Sequence, residues 1–310
     1  MNAERHLLDA HRWHWQHGPI DIVAEAHGEP DAVSRAHEDA WRRFQGVLSE
    51  LVGELSLLRQ PVVRTPCALH GPIAQRMWKA CAPFAPEFIT PMAAVAGSVA
   101  EELIGFYQRP GIERAWLNNG GDIALQLAAG QSVRVGIFSS LARFDLANMG
   151  RLSIDGKFEI RHSDPARGVA TSGWRGRSFS MGIADSVTVL AATAAQADAA
   201  ATIIANAVNV ADPNIERRPA NECRDDSDLG ERLVTIEVPP LAPEQVRRAL
   251  NAGYACAHDL QSRGLIWAVV MVCQDQWRHL EPISSLPTAC NAEGDGALFA
   301  LENRESCPHD

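Results

Sequence analysis

Residues 170–209 read ATSGWRGRSFSMGIADSVTVLAATAAQADAAATIIANAVN. The stretch opens with a Ser/Thr/Gly corner at Ala170-Thr171-Ser172-Gly173, and Ser-Val-Thr-Val-Leu-Ala at 186–191 then has the composition of a strand. An alanine-rich helix carrying Asp198 and Thr202 follows. A carboxylate and a hydroxyl four residues apart on a helix project from one face, one turn apart. Two hard oxygens so placed can hold a small divalent cation, with phosphate oxygens and water completing its shell. Asp198 and Thr202 are therefore candidate metal ligands, and Ala199, Ala200 and Ala201 between them are expected to leave room for a bulky ligand to approach.

Outward from this stretch the chain alternates strands and helices. Ile20 to Ala26 alternates as a half-buried strand does. Pro30-Asp31 then opens a helix with apolar residues at three- and four-residue steps from Val33 to Leu58, closed by Pro61. Pro and Gly punctuate 61–91 densely enough to predict a loop with short helical turns, and a second helix is expected over Ala93 to Tyr107. From Glu113 the pattern is one of strands, with Asp155-Gly156 as a hairpin signal. Pro213 to Gly230 is polar and charged and reads as an exposed excursion. A strand over Leu233–Val238, a helix over Pro243–Arg263 and a buried strand over Leu265–Val272 complete the pattern. Hairpins dominate, so the expected class is α+β with a mainly antiparallel sheet and packed helices. One compact domain is expected over 1–281, with a weakly structured tail over 282–310.

The net charge of −10 argues against nucleic-acid or anionic-membrane partners, which demand a basic surface. A phosphate-bearing small molecule needs only a local pocket and is not excluded. The longest strongly apolar run, Leu265 to Cys273, is far short of a membrane span, and no signal-peptide core precedes residue 20. Seven cysteines without Cys-x-x-Cys spacing fit reduced thiols and a cytoplasmic location. His6, His11, His14 and His17 read either as a metal-binding tract or, with more weight, as a solvated N-terminal segment, since no carboxylate or cysteine accompanies them at ligand spacing.

Two further constellations could meet a ligand. Asn119-Gly120-Gly121-Asp122 lies between two predicted strands; paired glycines permit positive φ and close approach to the main chain, and Asp122 can accept from a sugar hydroxyl or ring N–H. The same four residues also make an ordinary tight turn. Thr171, Ser172 and Gly173 offer hydroxyls and backbone N–H groups to a phosphate, or form a plain Ser/Thr turn. Arg175 and Arg177 directly after them suit phosphate, or a solvated turn.

In order, Asn119-Gly120-Gly121-Asp122, Ala170-Thr171-Ser172-Gly173, Val187-Thr188-Val189 and Ala197-Asp198-Ala199-Ala200-Ala201-Thr202 resemble the motifs of the ApbE-like superfamily of FAD:protein FMN transferases. The spacing agrees over roughly residues 90–210, and the whole chain, with Pro91 to Gly97, is similar to a shorter ApbE-like branch of bacteria and archaea. The resemblance implies FAD against the Gly-Gly-Asp turn and magnesium held partly by Asp198 and Thr202. It further implies transfer of FMN to a threonine of an acceptor protein, or cleavage of the FAD pyrophosphate. A non-catalytic flavin-binding or protein-interaction member of the same fold is the alternative.

Two positions depart from the transferase pattern. Ala96 stands where the transferases carry a lysine, and Ser180 to Asp185 stands where they carry His-x-x-Asp-Pro. His162-Ser163-Asp164-Pro165 lies on the wrong side of Ala-Thr-Ser-Gly and reads as a polar loop. Arg175, Arg177 and Asp185 are then the candidate catalytic substitutes.

Overall fold

A computed structural model describes residues 2–63, 66–137 and 156–282. Thirteen strands and seven helices are described: β1 Glu4–Leu7, β2 Arg12–His17, β3 Ile20–Gly28, α1 Pro30–Gly53, α2 Leu55–Leu58, α3 Pro72–Cys81, α4 Val95–Ile104, β4 Ile112–Asn119, β5 Asp122–Leu127, β6 Ser132–Ile137, β7 Gly156–Arg161, β8 Gly168–Ser172, β9 Ser186–Ala191, α5 Ala194–Ala207, β10 Glu216–Pro219, α6 Ala220–Cys223, β11 Leu233–Glu237, α7 Pro243–Ser262, β12 Ala268–Cys273 and β13 Gln276–Leu280. Nine strands form one sheet in the order β1-β2-β3-β4-β5-β8-β9-β12-β13, antiparallel at every junction. The α+β class with a mainly antiparallel sheet is the observed one. Asp155 and residues 283–310 lie outside the described residues, so neither the Asp155-Gly156 turn nor the tail is seen.

Helices cover one face of the sheet. The apolar stripe of α1 buries Ala36, Ala40, Phe44 and Val47 over β3, with Trp15, Ile22, Leu103 and Leu117 fully enclosed beside it. Helix α5 lies on β8 and β9, and α7 on β12 and β13, where Val189, Ile204, Val269 and Met271 are fully buried. The opposite face is covered in part by the β6–β7 hairpin, through Val135 and Ile160 against Leu125, Leu127, Val169 and Leu190.

Three expectations need correction. Residues 2–19 hold two paired strands: β1 is largely exposed, but alternation along β2 puts Trp15 and His17 into the core beside Phe44. The region 61–91 contains a full helix, α3, which Pro72 starts at its first turn. The excursion 213–230 is exposed over much of its length as expected, but it is structured: β10 pairs with β11, and the buried Thr90 hydroxyl donates to Asp228. Arg59 and Asp226 reinforce that contact at 2.7 Å.

Close backbone packing holds the start of α5. A Cβ added at Gly168 would sit 2.2 Å from Ala194 N, and one at Gly97 would sit 2.3 Å from Ala194 O. Gly168→Ala is expected to lower the stability by about 3 kcal/mol, because the obstacle is backbone and cannot move aside. Gly46→Ala, on an exposed turn of α1 with nothing within 4 Å, is expected to raise it by about 0.5–1 kcal/mol. Denaturant titration of the two variants checks both signs.

His37 provides a second handle on the core. Its ring is buried, with Nδ1 2.7 Å from the Tyr107 hydroxyl, and burial, helped by Arg5, holds its pKa down to about 4. The unfolded chain, with an ordinary histidine near pH 6.5, binds the proton first. Stability from this residue is thus present above pH 6.5 and lost as pH falls toward 4, by about 3 kcal/mol in all. His37→Gln should flatten that part of the stability–pH curve measured by denaturant unfolding.

Candidate functional site

The β4–β5 hairpin turns at Gly120 and Gly121, with φ of +67° and +116°. Two successive positive φ values are those of a tight primed turn, which glycine adopts without strain. The turn has no side chains of its own, and the Asn118 amide oxygen accepts from Gly121 N–H at 2.8 Å. Asn119 and Asp122, paired across the turn, face the helices. Asn119 donates from Nδ2 to the Ala96 carbonyl at 3.1 Å. Strands β5 and β8 pair only at Ile123↔Val169 and Ala124↔Gly168. Beyond them the Asp122 carboxylate takes over from the backbone ladder and accepts Thr171 N–H at 3.2 Å.

Helix α5 brings the second carboxylate. Asp198 accepts Gly97 N–H at 2.9 Å and also the N–H of Ala96, so it sits at the N-terminal end of α4, where the helix dipole favours negative charge. Burial raises the Asp198 pKa well above the usual carboxylate range, and the charge of Asp122 raises it further; the two N–H groups only partly offset this. Asp122 is raised too, by burial against the opposing pull of Thr171 N–H and Arg177. Thr202 stands half-buried one turn along the same face of α5. Ala199, Ala200 and Ala201 do not leave open space as expected: all three are fully buried and pack α5 into the core.

Arg177 reaches the turn from the far side of the Ala-Thr-Ser-Gly corner. Its guanidinium lies where a Gly120 Cβ would be 2.3 Å from Nη2, so only glycine admits it. Thr171 and Ser172 do not act together, because strand alternation puts them on opposite faces of the sheet. Thr171 Oγ1 hydrogen-bonds Thr188 Oγ1 at 3.0 Å, whereas Ser172 shares the face of Ala170. Gly173, φ +156°, lets the chain pass within 2.5 Å (Cβ position) of the Asp185 carbonyl.

Arg175 and Asp185 are occupied with each other at 3.0 Å. The Asp185 carboxylate also accepts from Trp174 Nε1 and from Gln274 N–H in the β12–β13 turn. The histidines do not converge on a metal: His14 faces Asp21, His27 faces Glu25, and His17 is buried against Phe44. Among the described residues no three His, Cys, Asp or Glu side chains cluster for a metal. The meeting of Asp122 with Asp198 is the one the resemblance implies; the seat of Asp198 on α4 and the Thr90–Asp228 link are the features sequence spacing could not supply, since each joins distant segments.

The ionised pair carries a cost that one substitution should relieve. With folded pKa values above the unfolded ones, both groups lose stability as pH rises through the native titration. At pH 8 without divalent metal, Asp198→Asn keeps an acceptor for Gly97 N–H and removes one charge. The variant is expected to be more stable by about 1–2 kcal/mol. A lower denaturation midpoint in the variant would show that the α4 N–H groups already balance the charge.

Comparison with known proteins adds the following. A family described as AbpE bacteria matches residues 5–279. A UPF0280 protein of Methanopyrus kandleri is 40% identical over 167 residues, covering 53% of this chain and 61% of that one. A UPF0280 protein of Methanospirillum hungatei is 37% identical over 127 residues, covering 40% and 47%. The chain thus spans about half to two thirds of the length of these curated relatives. Among solved structures, the apo flavinyl transferase ApbE of Pseudomonas stutzeri aligns with 12% identity and a TM-score of 0.45 over 90% of this chain and 95% of that one. A mutant of the flavin transferase ApbE of Vibrio cholerae aligns with 15% identity and a TM-score of 0.44 over 86% and 94%. No helix among the described residues is long and apolar enough to cross a membrane.

Proposed function

This chain belongs to the AbpE bacteria family, and on that footing we propose that its paired carboxylates bind the diphosphate of FAD, or of a related flavin nucleotide, through magnesium. The protein is then a diverged magnesium-dependent FMN transferase, with a protein acceptor, or an FAD pyrophosphate-cleaving enzyme. The observation that carries this reading is the meeting of Asp122 and Asp198 beside a turn without side chains, with Arg177 laid over it.

The donor set fits magnesium. This ion keeps several waters and takes one or two carboxylates plus substrate phosphates, rather than an all-protein cage. Asp198 and Thr202 would hold it, with Asp122 as the second carboxylate. When bound, it would neutralise charge on the diphosphate.

The chain's own residues do the rest. Gly120 and Gly121 let the ligand lie against the main chain, flanked by Asn119, Ser172 and Gly173. The N–H groups of Ala96 and Gly97 fix Asp198, and Thr171 N–H fixes Asp122. Arg177 offers a guanidinium to the phosphate. In transfer, the acceptor threonine oxygen bonds to the FMN-side phosphorus, the P–O bond to AMP breaks, and AMP departs with the electron pair. The hydroxyl proton leaves to solvent water as the new bond forms. Hydrolysis puts water in the place of threonine and yields FMN and AMP. Arg175 and Asp185, satisfied by each other, support the corner rather than the reaction. The free cysteines among the described residues agree with a reducing, cytoplasmic setting.

Ala96 favours a second reading, flavin binding without turnover, because it places no cation where the transferases carry lysine. Incubation with FAD and magnesium, followed by chromatography for AMP and FMN, separates the two readings. Flavinylation of a threonine-bearing peptide is expected to be slow or absent by mass spectrometry, since losing one well-placed stabilising group costs on the order of a hundredfold. Asp198→Asn should weaken magnesium-dependent FAD binding about tenfold or more, roughly 1.4 kcal/mol. Equal FAD affinity in the variant and the parent at saturating magnesium would refute the metal role.

A further inference from the structure

We infer that the face of the sheet opposite the carboxylate pair carries a second, separate binding site, for a planar, acceptor-rich heteroaromatic ring bearing an anionic group. A cavity of about 600 Å³ lies there, floored by β4 and β5 and walled by β6. That volume is in the range of about 300–1,000 Å³ typical of small-molecule sites. Strand alternation separates it from the first site: Arg114, Trp116 and Asn118 line the cavity, while Asn119 and Asp122 face the helices.

Its chemistry is specific. Trp116 is half-buried between Ile123 and Leu125 on one flank and the His27 ring on the other, 5.6 Å away. His27 in turn stacks on His11 at 5.0 Å, so an aromatic stripe leads into the cavity. Flat apolar surface of this kind takes a ring. Two arginines, Arg114 and Arg134, line the cavity and, among the described residues, no carboxylate does, in a chain whose net charge is −10. Arg134 lies near Glu159 at the rim. Arg114 is half-buried, and its guanidinium has no ion pair or hydrogen bond among the described residues. A half-buried guanidinium without a counter-charge is costly, and an anion relieves it. Asn118 spends its amide oxygen on Gly121 N–H, which orients the group and leaves its NH₂ as a donor. The Arg114 guanidinium and the Asn118 NH₂ both donate, so the ring they suit is rich in acceptors.

Calorimetric titration with FMN, riboflavin and AMP, in EDTA to remove divalent metal, tests the site. FMN is expected to bind saturably. Trp116→Leu should weaken it at least fivefold, and Arg114→Gln should weaken FMN at least tenfold while leaving riboflavin, which has no phosphate, within twofold. The FMN affinity of this site should be the same within twofold whether EDTA or excess magnesium is present, which distinguishes it from the magnesium site. Saturable AMP binding in place of FMN, with the same losses in the two variants, upholds the site and assigns it an adenine ring. Thermal melting confirms that each variant is folded, and Arg114→Gln alone decides the matter if Trp116→Leu is not. The proposal is overturned if no test ligand binds the folded parent at millimolar concentration. It is equally overturned if FMN affinity stays within twofold in Arg114→Gln, or if FMN binding appears only when magnesium replaces EDTA.

Discussion

The site depends on how closely the start of α5 can approach both α4 and β8. Gly97 and Gly168 leave no side chain in that space, and the backbone of Thr193 and Ala194 fills it. Two further contacts hold the arrangement: Thr193 caps α5 through Gln196 N–H, and Glu101 on α4 accepts Ala195 N–H at 3.1 Å. The consequence appears one turn later, where Asp198 meets the first N–H groups of α4. A methyl group at either glycine would displace α5 by more than the length of that hydrogen bond tolerates.

A site assembled in this way stores an electrostatic cost. Two carboxylates are brought into one partly buried place, and each disfavours ionisation of the other. The N-terminal dipole of α4, Thr171 N–H and Arg177 offset only part of that cost. Buried like charges persist in a folded protein where something else repays them, and sites of this kind are where function is found. The rest of the molecule is built to tolerate the cost: the sheet is continuous over nine strands, and a fully buried alanine face fixes α5 against it.

The sheet also divides the chemistry in two. On the helix side lie acceptors, the carboxylates, with backbone donors aimed at them. On the other side lie donors, Arg114 and the Asn118 amide, around the Trp116 ring. The Gly120-Gly121 turn is the rim between these faces, and Asn118 belongs to both through its bond to Gly121 N–H. The opposite characters follow from the pleat alone, since consecutive residues of β4 must point to opposite sides.

Local pattern determined much of this protein. The alternation of β3, β4 and β9, the apolar stripe of α1, the glycine pair at 120–121 and the common face of Asp198 and Thr202 are all properties of short segments, so the sequence displays them directly. The order of four short motifs was enough to identify the family. Where the sequence misled, the cause was tertiary. The N-terminal histidines looked solvated until β2 paired with β3 and drew Trp15 and His17 inward. Thr171 and Ser172 looked like one hydroxyl pair until the strand separated them. The alanines beside Asp198 looked like open space and proved to be core. That Asp122 and Asp198 share a site follows from the family resemblance; only the tertiary structure decided that α4 aims its N–H groups at one of them and that Arg177 covers the turn. Periodicity records which side of an element is buried; which distant element covers it depends on how the whole core closes.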